Sequence, residues 1–353
     1  MRGSLTARLL AHAATGAPLD AHAAFGSGVA AGEQERQLRW LLDGGLGPLL
    51  HHATRAQPQG VPEAWRHALL SADLTARMRH ATLQASVRAL LSACAALRLE
   101  PTLLKGISAS EQLYPEPHLR PMSDFDVLLP PQRYSEADAA LTAEGGGWER
   151  TDFPALPGMH HDAPLRHRAH GGIVELHRAL FPSDSPFSAG SLFAPAQLLS
   201  RSQPSSWHGE PVRRLPPELQ LPYIAASWFN DLSDMRVHPS FLPSLVDALL
   251  LLRRFGPTLD WALLRGWLDN ELARGCLYAL LAYVPRFGAT PAPADFMAWL
   301  GRSQRVAGAL QLRLIHHMLD RHLVAARPWT LPFPPPVPGR YSPAYQWRKR
   351  LRG

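Results

Sequence analysis

Residues 120–129 read RPMSDFDVLL and predict a short buried strand that carries two aspartates. Side chains alternate along a strand, so we expect Asp124 and Asp126 on one face and Phe125 and Val127 on the other. The two prolines that follow stop the strand, because proline has no N–H to donate to a neighbour. Two aspartates on one strand face can bind a divalent cation. An isolated D-x-D is more often a solvated strand face or loop, so the interpretation as a metal site depends on the neighbouring sequence.

Upstream of this strand, residues 101–106 read PTLLKG and predict a second short strand that ends in a glycine turn. A short helix is expected to follow at 107–114, and the backbone N–H groups of such a turn can bind phosphate. A lysine in the turn and an arginine before the aspartates supply charge that can neutralise a triphosphate. The residues expected to contact phosphate here are Lys105, Gly106 and Arg120.

Downstream, residues 160–167 and 173–180 are two extended runs joined by a turn that contains two glycines. Glu175 lies in the second run among apolar residues, where an unpaired charge is costly, and His177 shares its face. Carboxylates on neighbouring strands, a glycine turn and nearby cations are what two-metal phosphoryl transfer requires. The predicted catalytic carboxylates and metal ligands are Asp124, Asp126 and Glu175.

Histidines are concentrated around this hairpin: His160, His161, His167, His170 and His177. A zinc site is one interpretation, but zinc sites usually combine histidine with cysteine at short spacing, and no cysteine is near. Solvated histidines of the hairpin are a second interpretation. Contact with substrate or phosphate is the third, and His177 is its best candidate because it shares the face of Glu175.

Composition limits the class of protein. The chain has 353 residues, of which 46% are hydrophobic and 18% charged, as expected for a globular chain long enough for two domains. Its net charge of +7 comes mainly from arginines spread over the whole length, so nucleic acid is not the expected partner. No apolar run is long enough to span a membrane. Cys94 and Cys276 are expected to be buried free thiols, which predicts a cytoplasmic protein.

The chain divides into four predicted parts. They are a helical N-terminal region at 1–84, an α+β catalytic domain with a mixed sheet at 85–210, a helical C-terminal domain at 211–326 and a proline-rich basic tail at 327–353. In the first part, the helix opened by Pro62 is expected to be separate from a helix over residues 85–97. In the third, a helix over residues 261–282 is expected to break near Gly275.

Four segments together resemble a known family: LLKG at 103–106, YP at 114–115, RPMSDFDVLL at 120–129 and VELH at 174–177. They are similar to the uncharacterised bacterial nucleotidyltransferase-like family of the DNA polymerase β superfamily. The similarity covers roughly residues 85–285. It implies a polymerase-β-like nucleotidyltransferase palm of the α+β class, flanked by helical N- and C-terminal regions.

The resemblance also implies an activity. The enzyme would move a nucleoside monophosphate from an NTP, with ATP as the expected donor, to a hydroxyl acceptor. Two Mg²⁺ ions, or Mn²⁺ in their place, would bind Asp124, Asp126 and Glu175. The nucleotide contacts would come from Lys105, Gly106, Ser108, Arg120 and His177.

The chain departs from the superfamily at two positions. In the superfamily a serine or glycine usually follows the glycine of the phosphate turn directly, whereas here Ile107 follows Gly106 and Ser108 comes one place later. The third carboxylate is commonly aspartate in the superfamily, whereas Glu175 is one methylene longer.

Two classes of function lead, and a nucleic-acid-binding protein is a third interpretation. One is the enzyme, whose acceptor could be a small molecule, a peptide or a protein. The alternative is a catalytically inactive nucleotide-binding or regulatory protein that retains the fold. All three carboxylates are present, which favours the enzyme, because an inactive site has no physical need to hold like charges together.

Overall fold

The computed structural model describes residues 4–26, 31–153, 158–234, 237–327, 329, 335–342 and 347. The chain forms two compact units. One combines Met1–Thr75 with Leu221–Gly353, and the other is Ala76–Gln220. The basic group at residues 348–352 of the predicted tail lies outside the described residues.

Most of the described chain is helical. The helices, in chain order, are α1 (Leu5–Thr15), α2 (Ala21–Phe25), α3 (Ala31–Asp43), α4 (Gly47–Thr54), α5 (Glu63–Ala96), α6 (Lys105–Leu113), α7 (Tyr134–Thr142), α8 (Pro195–Arg201), α9 (Pro217–Asp234), α10 (Leu242–Phe255), α11 (Trp261–Trp267), α12 (Glu271–Tyr283), α13 (Ala294–Ser303) and α14 (Ala309–Met318). Within the described residues, no helix combines the length and apolar composition that crossing a membrane requires.

The unit at 76–220 is built on a seven-stranded sheet. Its strands are β1 (Thr102–Leu103), β2 (Phe125–Leu128), β3 (Trp148–Arg150), β4 (Leu165–His167), β5 (Ile173–His177), β6 (Gln203–Trp207) and β7 (Glu210–Arg214). They lie in the order β3-β4-β5-β2-β1-β7-β6. The pairs β2–β5 and β1–β7 are parallel, and the other neighbours are antiparallel. The predicted α+β class with a mixed sheet is confirmed.

The sheet is held by an apolar cluster that α5 shares with the strands. Apolar residues recur on α5 at a spacing of three or four, which places them on one helix face. The cluster contains Leu83, Val87, Leu90, Leu91 and Cys94 from α5, and Phe125, Val127, Val174 and Leu176 from β2 and β5. Each fully buried side chain of this size stabilises the fold by about 1.5–3 kcal/mol. The strand positions between these residues therefore carry the polar face.

Helix α5, which crosses the sequence boundary between the two units, is longer than predicted. Instead of one helix opened by Pro62 and another over residues 85–97, α5 runs unbroken from Glu63 to Ala96. The sequence between the two predicted helices contains no glycine or proline, so nothing interrupts the backbone hydrogen bonds. The boundary predicted at residue 84 lies inside this helix.

The predicted hairpin forms, but its strands are shorter. Strand β4 is confined to residues 165–167 and β5 to 173–177, rather than 160–167 and 173–180. Both glycines of the turn are required by the geometry. Gly171 has φ +75°, and a Cβ on Gly172 would lie 2.3 Å from Oγ of Ser86.

The hairpin of β6 and β7 was not predicted. Its turn consists of His208 and Gly209, which both have positive φ, at 47° and 88°. Strand β6 reads QPSSW and carries a proline and two serines, so it lacks the apolar alternation of a strand. It lies at the edge of the sheet, where proline is tolerated.

The helical unit at 1–75 and 221–353 contains a second correction. The break predicted near Gly275 lies instead between α11 and α12, where the Asn270 side chain accepts a hydrogen bond from the N–H of Ala273 at 2.8 Å and caps α12. Gly275 is a packing site, because a Cβ there would lie 2.6 Å from Cβ of Val306. In both units the cysteines are as predicted, since Cys94 and Cys276 are buried free thiols.

Replacing Gly275 by alanine tests this packing. We expect G275A to lower the free energy of unfolding by about 1–3 kcal/mol, because the added methyl overlaps Val306. The matched control is G266A on α11, where a Cβ meets nothing within 4 Å. That change should raise stability by about 0.5–1 kcal/mol through helix propensity. Urea unfolding of both variants measures the difference, and equal effects would contradict the packing role of Gly275.

Candidate active site

The site begins with the parallel pairing of β2 and β5. In this register Asp126 lies beside Glu175, and Leu128 lies beside His177. Phe125, between the aspartates, belongs to the apolar cluster, so the carboxylates take the opposite face of the sheet. Two of the three predicted carboxylates are thus on neighbouring strands. The third, Asp124, immediately precedes β2 rather than lying within it.

Three side chains form a close group on this face. Asp126, Glu175 and His177 each offer one ligand atom, and these atoms lie within 4.8 Å of one another. Nε2 of His177 is 2.9 Å from Oδ1 of Asp126 and 3.4 Å from Oε2 of Glu175. His177 is fully buried, whereas the Glu175 side chain is 21% exposed. The imidazole therefore bridges two carboxylates that would otherwise repel each other.

Lys105 reaches the same carboxylate from the other side. Its Nζ lies 2.9 Å from Oδ1 of Asp126. The N–H of Leu104 donates to the carbonyl of Asp126 at 3.0 Å, which fixes the backbone just before Lys105. Lys105 itself has φ +39°, a conformation that non-glycine residues rarely adopt and that is concentrated at functional sites. The end of β1 is thus held in a strained turn that aims the ammonium at Asp126.

Burial and charge set the protonation of this group. Burial would raise the pKa of Asp126, but the charge of Lys105 and the hydrogen bond with His177 outweigh it and hold that pKa well below its usual range. Burial would lower the pKa of His177, but its hydrogen bonds with Asp126 and Glu175 raise it instead. Asp126 is therefore ionised, and His177 tends to carry a proton.

Asp124 is perturbed in the opposite direction. Burial raises its pKa to about 6, the negative charges of Asp126 and Glu175 add to the rise, and Lys105 opposes it. The charges of all three predicted carboxylates therefore act on one another. Near neutral pH the site holds more negative charge than its surroundings favour, which is an environment suited to cations.

The N-terminus of α6 lies next to the carboxylates. The N-cap residue Leu104 makes no side-chain hydrogen bond to this helix end. A Cβ on Gly106 would lie 2.9 Å from Cγ of Met122 and 3.5 Å from Cζ of Arg120, so glycine permits this close approach. Arg120, Lys105 and the start of α6 are thus adjacent. Ser108 is buried, and its hydroxyl has no hydrogen-bond partner among the described residues.

The interpretation of the hairpin histidines as solvated is wrong for most of them. His161, His167 and His177 are buried, and His170 is exposed. The rings of His160 and His161 lie 5.0 and 5.2 Å from that of His177. A backbone bridge between residues 161 and 177 brings these rings together, and it joins the two runs, 160–167 and 173–180, that the sequence predicted to pair.

Burial lowers the pKa of His160 to about 2, and the neighbouring charges of His177 and His161 add to the effect. His160 is therefore a neutral ring, with Nδ1 buried and without a hydrogen-bond partner in the described part of the chain. His161 places Nε2 3.8 Å from Oε2 of Glu175.

Arg214 is a supporting residue that the sequence did not reveal. It lies on β7 and is buried, and its guanidinium donates to the carbonyl of Ser108 at 2.8 Å and to the carboxylate of Glu111. It thereby ties the unpredicted hairpin to α6 and fixes the helix whose N-terminus borders the site. Its strand has no clear pattern, so the sequence offered little signal for it.

Asp124→Asn tests whether the negative charge of Asp124 destabilises the folded protein when no metal ion is bound. The folded pKa of Asp124, about 6, lies above the ordinary value for aspartate, so its ionisation destabilises the fold as pH rises between about 4 and 6. In EDTA, D124N should therefore gain stability over the original protein as pH rises from 4.5 to 7.5. Chemical unfolding at several pH values measures this, and a difference that does not change with pH would refute it.

Comparison with known proteins gives one similar solved structure and one matching family. The chain is similar to a solved structure, an antigenic nucleotidyltransferase-like protein from Paracoccidioides brasiliensis, at 15% identity and a TM-score of 0.36, over 61% of this chain and 95% of that chain. No curated protein matches the chain. The sequence of residues 31–287 matches the family described as uncharacterised nucleotidyltransferase. This matched region begins well before residue 85, where the resemblance found from the sequence motifs begins. The match confirms that resemblance and spans most of the chain, and the chain therefore belongs to the uncharacterised nucleotidyltransferase family.

Proposed function

We propose that the chain is a metal-dependent nucleotidyltransferase that transfers a nucleoside monophosphate from an NTP, with ATP the expected donor, to a hydroxyl acceptor. One observation carries the proposal: the carboxylates of Asp126 and Glu175 lie side by side on one sheet face, close to a lysine and a helix N-terminus. Family membership supports the reaction class.

The residues fit divalent cations. Carboxylate oxygens of Asp126 and Glu175 are within reach of one ion. The pKa of Asp124 is raised first by burial and then by the charges of Asp126 and Glu175, and a cation would offset both effects. Asp124, Asp126 and Glu175 would hold two Mg²⁺ ions, or Mn²⁺. When bound, such a pair lowers the pKa of an attacking hydroxyl and neutralises charge on the triphosphate and the leaving pyrophosphate.

The phosphates would bind where α6 begins. Lys105 and Arg120 supply positive charge, and the backbone N–H groups around Gly106 supply donors. The buried hydroxyl of Ser108 is a further donor in the first turns of the helix. This arrangement would orient the α-phosphorus of a bound NTP toward the carboxylates, so that an acceptor would attack opposite to the pyrophosphate.

Glu175 is better placed than Asp126 to meet the acceptor. Its side chain is 21% exposed, compared with 9% for Asp126. We propose that Glu175 accepts the proton of the acceptor's hydroxyl. His177 and His161 lie beside its oxygens and would hold its orientation. The acceptor could be a small molecule, a peptide or a protein. A cytoplasmic location is proposed because both cysteines are buried free thiols.

A second candidate is a nucleotide-binding regulatory protein without turnover. One observation favours it: Lys105 and His177 already contact Oδ1 of Asp126, at 2.9 Å each, and provide positive charge that a metal ion would provide. A protein that never binds metal could be stabilised by these contacts alone. In that case nucleotide binding would not depend on divalent ions.

Ligand stabilisation separates the two functions. We expect Mg²⁺ with ATP to raise the melting temperature, because a ligand that binds only the folded state stabilises it. D126N and E175Q should lose the metal-dependent part of the shift. The matched control is Glu210→Gln, an exposed carboxylate on β7, which should keep the full shift. A shift of equal size in EDTA would favour the regulatory protein.

Transfer itself is measured with α-labelled NTPs. The protein is incubated with Mg²⁺ and each labelled nucleotide, and label is sought on the protein, on a small-molecule product and on co-purified material. We expect transfer by the original protein and by E210Q, and a loss of at least about a hundredfold in D126N. Transfer retained by D126N would contradict the assignment of the carboxylates.

A further inference from the structure

We infer that the position between Asp126, Glu175 and His177 binds a divalent first-row transition-metal ion in preference to Mg²⁺, with Nε2 of His177 as a direct ligand. The inference rests on the proposed function, since it specifies the kind of metal at the same site. It changes the role of His177 from a predicted nucleotide contact to a metal ligand.

The donor set is the first argument. Within the described residues, one oxygen of Asp126, one oxygen of Glu175 and one nitrogen of His177 lie within 4.8 Å of one another. Mg²⁺ takes oxygen ligands and keeps several waters, whereas imidazole nitrogen suits Fe, Ni, Cu and Zn. A site that offers a fully buried nitrogen beside two carboxylates therefore favours a transition metal.

The orientation of His177 is the second argument. Its Nδ1 lies 3.3 Å from the carbonyl oxygen of Ala179, so the Nδ1–H donates to the backbone and Nε2 points at the carboxylates. A bound metal ion would displace the proton that Nε2 shares with the carboxylates, and that proton would be released to solvent. Metal-binding histidines are commonly held in this way, with the second ring nitrogen donating to a carbonyl. The ring is also 0% exposed, so solvent does not compete for Nε2.

The neighbouring rings are the third argument. His160 and His161 lie within 5.2 Å of the His177 ring, centroid to centroid. Nε2 of His161 is 3.8 Å from Glu175, and Nδ1 of His160 has no hydrogen-bond partner among the described residues. An environment this rich in imidazole would be unusual around a site selected for Mg²⁺ alone.

The competing explanation is that His177 is only a positioning residue. Its hydrogen bonds with Asp126 and Glu175 would then hold the two carboxylates for oxygen-only coordination of Mg²⁺. Both explanations predict lower activity when His177 is replaced, so activity cannot distinguish them. The coordinating atom itself has to be detected.

The experiment uses Mn²⁺ as a spectroscopic probe on the full chain. Free Mn²⁺ is titrated by electron paramagnetic resonance, Mg²⁺ is then added as competitor, and pulsed measurements detect coupling to ¹⁴N. We expect bound Mn²⁺ to show clear nitrogen coupling and to bind at least about tenfold more tightly than Mg²⁺, because Mg²⁺ takes oxygen ligands and gains little from Nε2. H177Q should lose the coupling and about tenfold or more of the affinity. H170Q, which changes an exposed histidine of the hairpin turn, should retain both.

Several results would overturn the inference: bound Mn²⁺ without nitrogen coupling, equal affinities for the two ions, or coupling that persists in H177Q. If H177Q does not fold, the double variant H160Q/H161Q decides instead. Its nitrogen coupling must persist, and loss of the coupling assigns the nitrogen to those rings and refutes the role of His177. Equal binding of both ions together with label transfer would sink only this inference, whereas absence of both metal binding and transfer would sink the proposed function.

Discussion

The parallel register of β2 and β5 is the constraint on which the rest of the site depends. It sets Asp126 beside Glu175 and, two residues on, His177 beside Leu128. The alternate positions belong to the apolar cluster that α5 shares with the sheet. A slip of one residue would turn the carboxylates into that cluster and expose apolar side chains. The packing that stabilises the sheet therefore also selects the arrangement of the site.

That arrangement concentrates negative charge in a half-buried place, and the fold compensates locally. Lys105 contacts Asp126 from a backbone with φ +39°, a conformation that costs about 1–2 kcal/mol. His177 contacts the same oxygen from β5. Asp124 receives less compensation, and burial with its neighbours' charges raises its pKa to about 6. The negative charge of the site is thus unevenly neutralised, which leaves an electrostatic advantage for any added cation.

Local patterns predicted the parts of this site that depend on neighbours in sequence. The alternation in DFDVLL gave β2, and the position of Glu175 in an apolar run placed it on a buried strand. Parts that depend on distant contacts were not predictable. Arg214, for example, lies on a strand that pairs with β1, where Leu103 lies opposite Arg214, more than a hundred residues away along the chain. Gly275 was predicted to break a helix because the sequence does not show the contact with Val306 that requires a glycine there.

The helical unit also depends on contacts between residues far apart in sequence, because one of its two segments precedes the sheet unit along the chain and the other follows it. Helix α1 packs on α10, and Nε1 of Trp40 donates to the carbonyl of Leu323 at 2.8 Å, across 283 residues. The family match spans residues 31–287 and so includes α3 and α4 as well as the sheet. The two segments thus pack on each other to form one unit. The unit therefore closes only after the whole sheet unit has been traversed, and the order of elements along the chain is a poor guide to the compact units that they form.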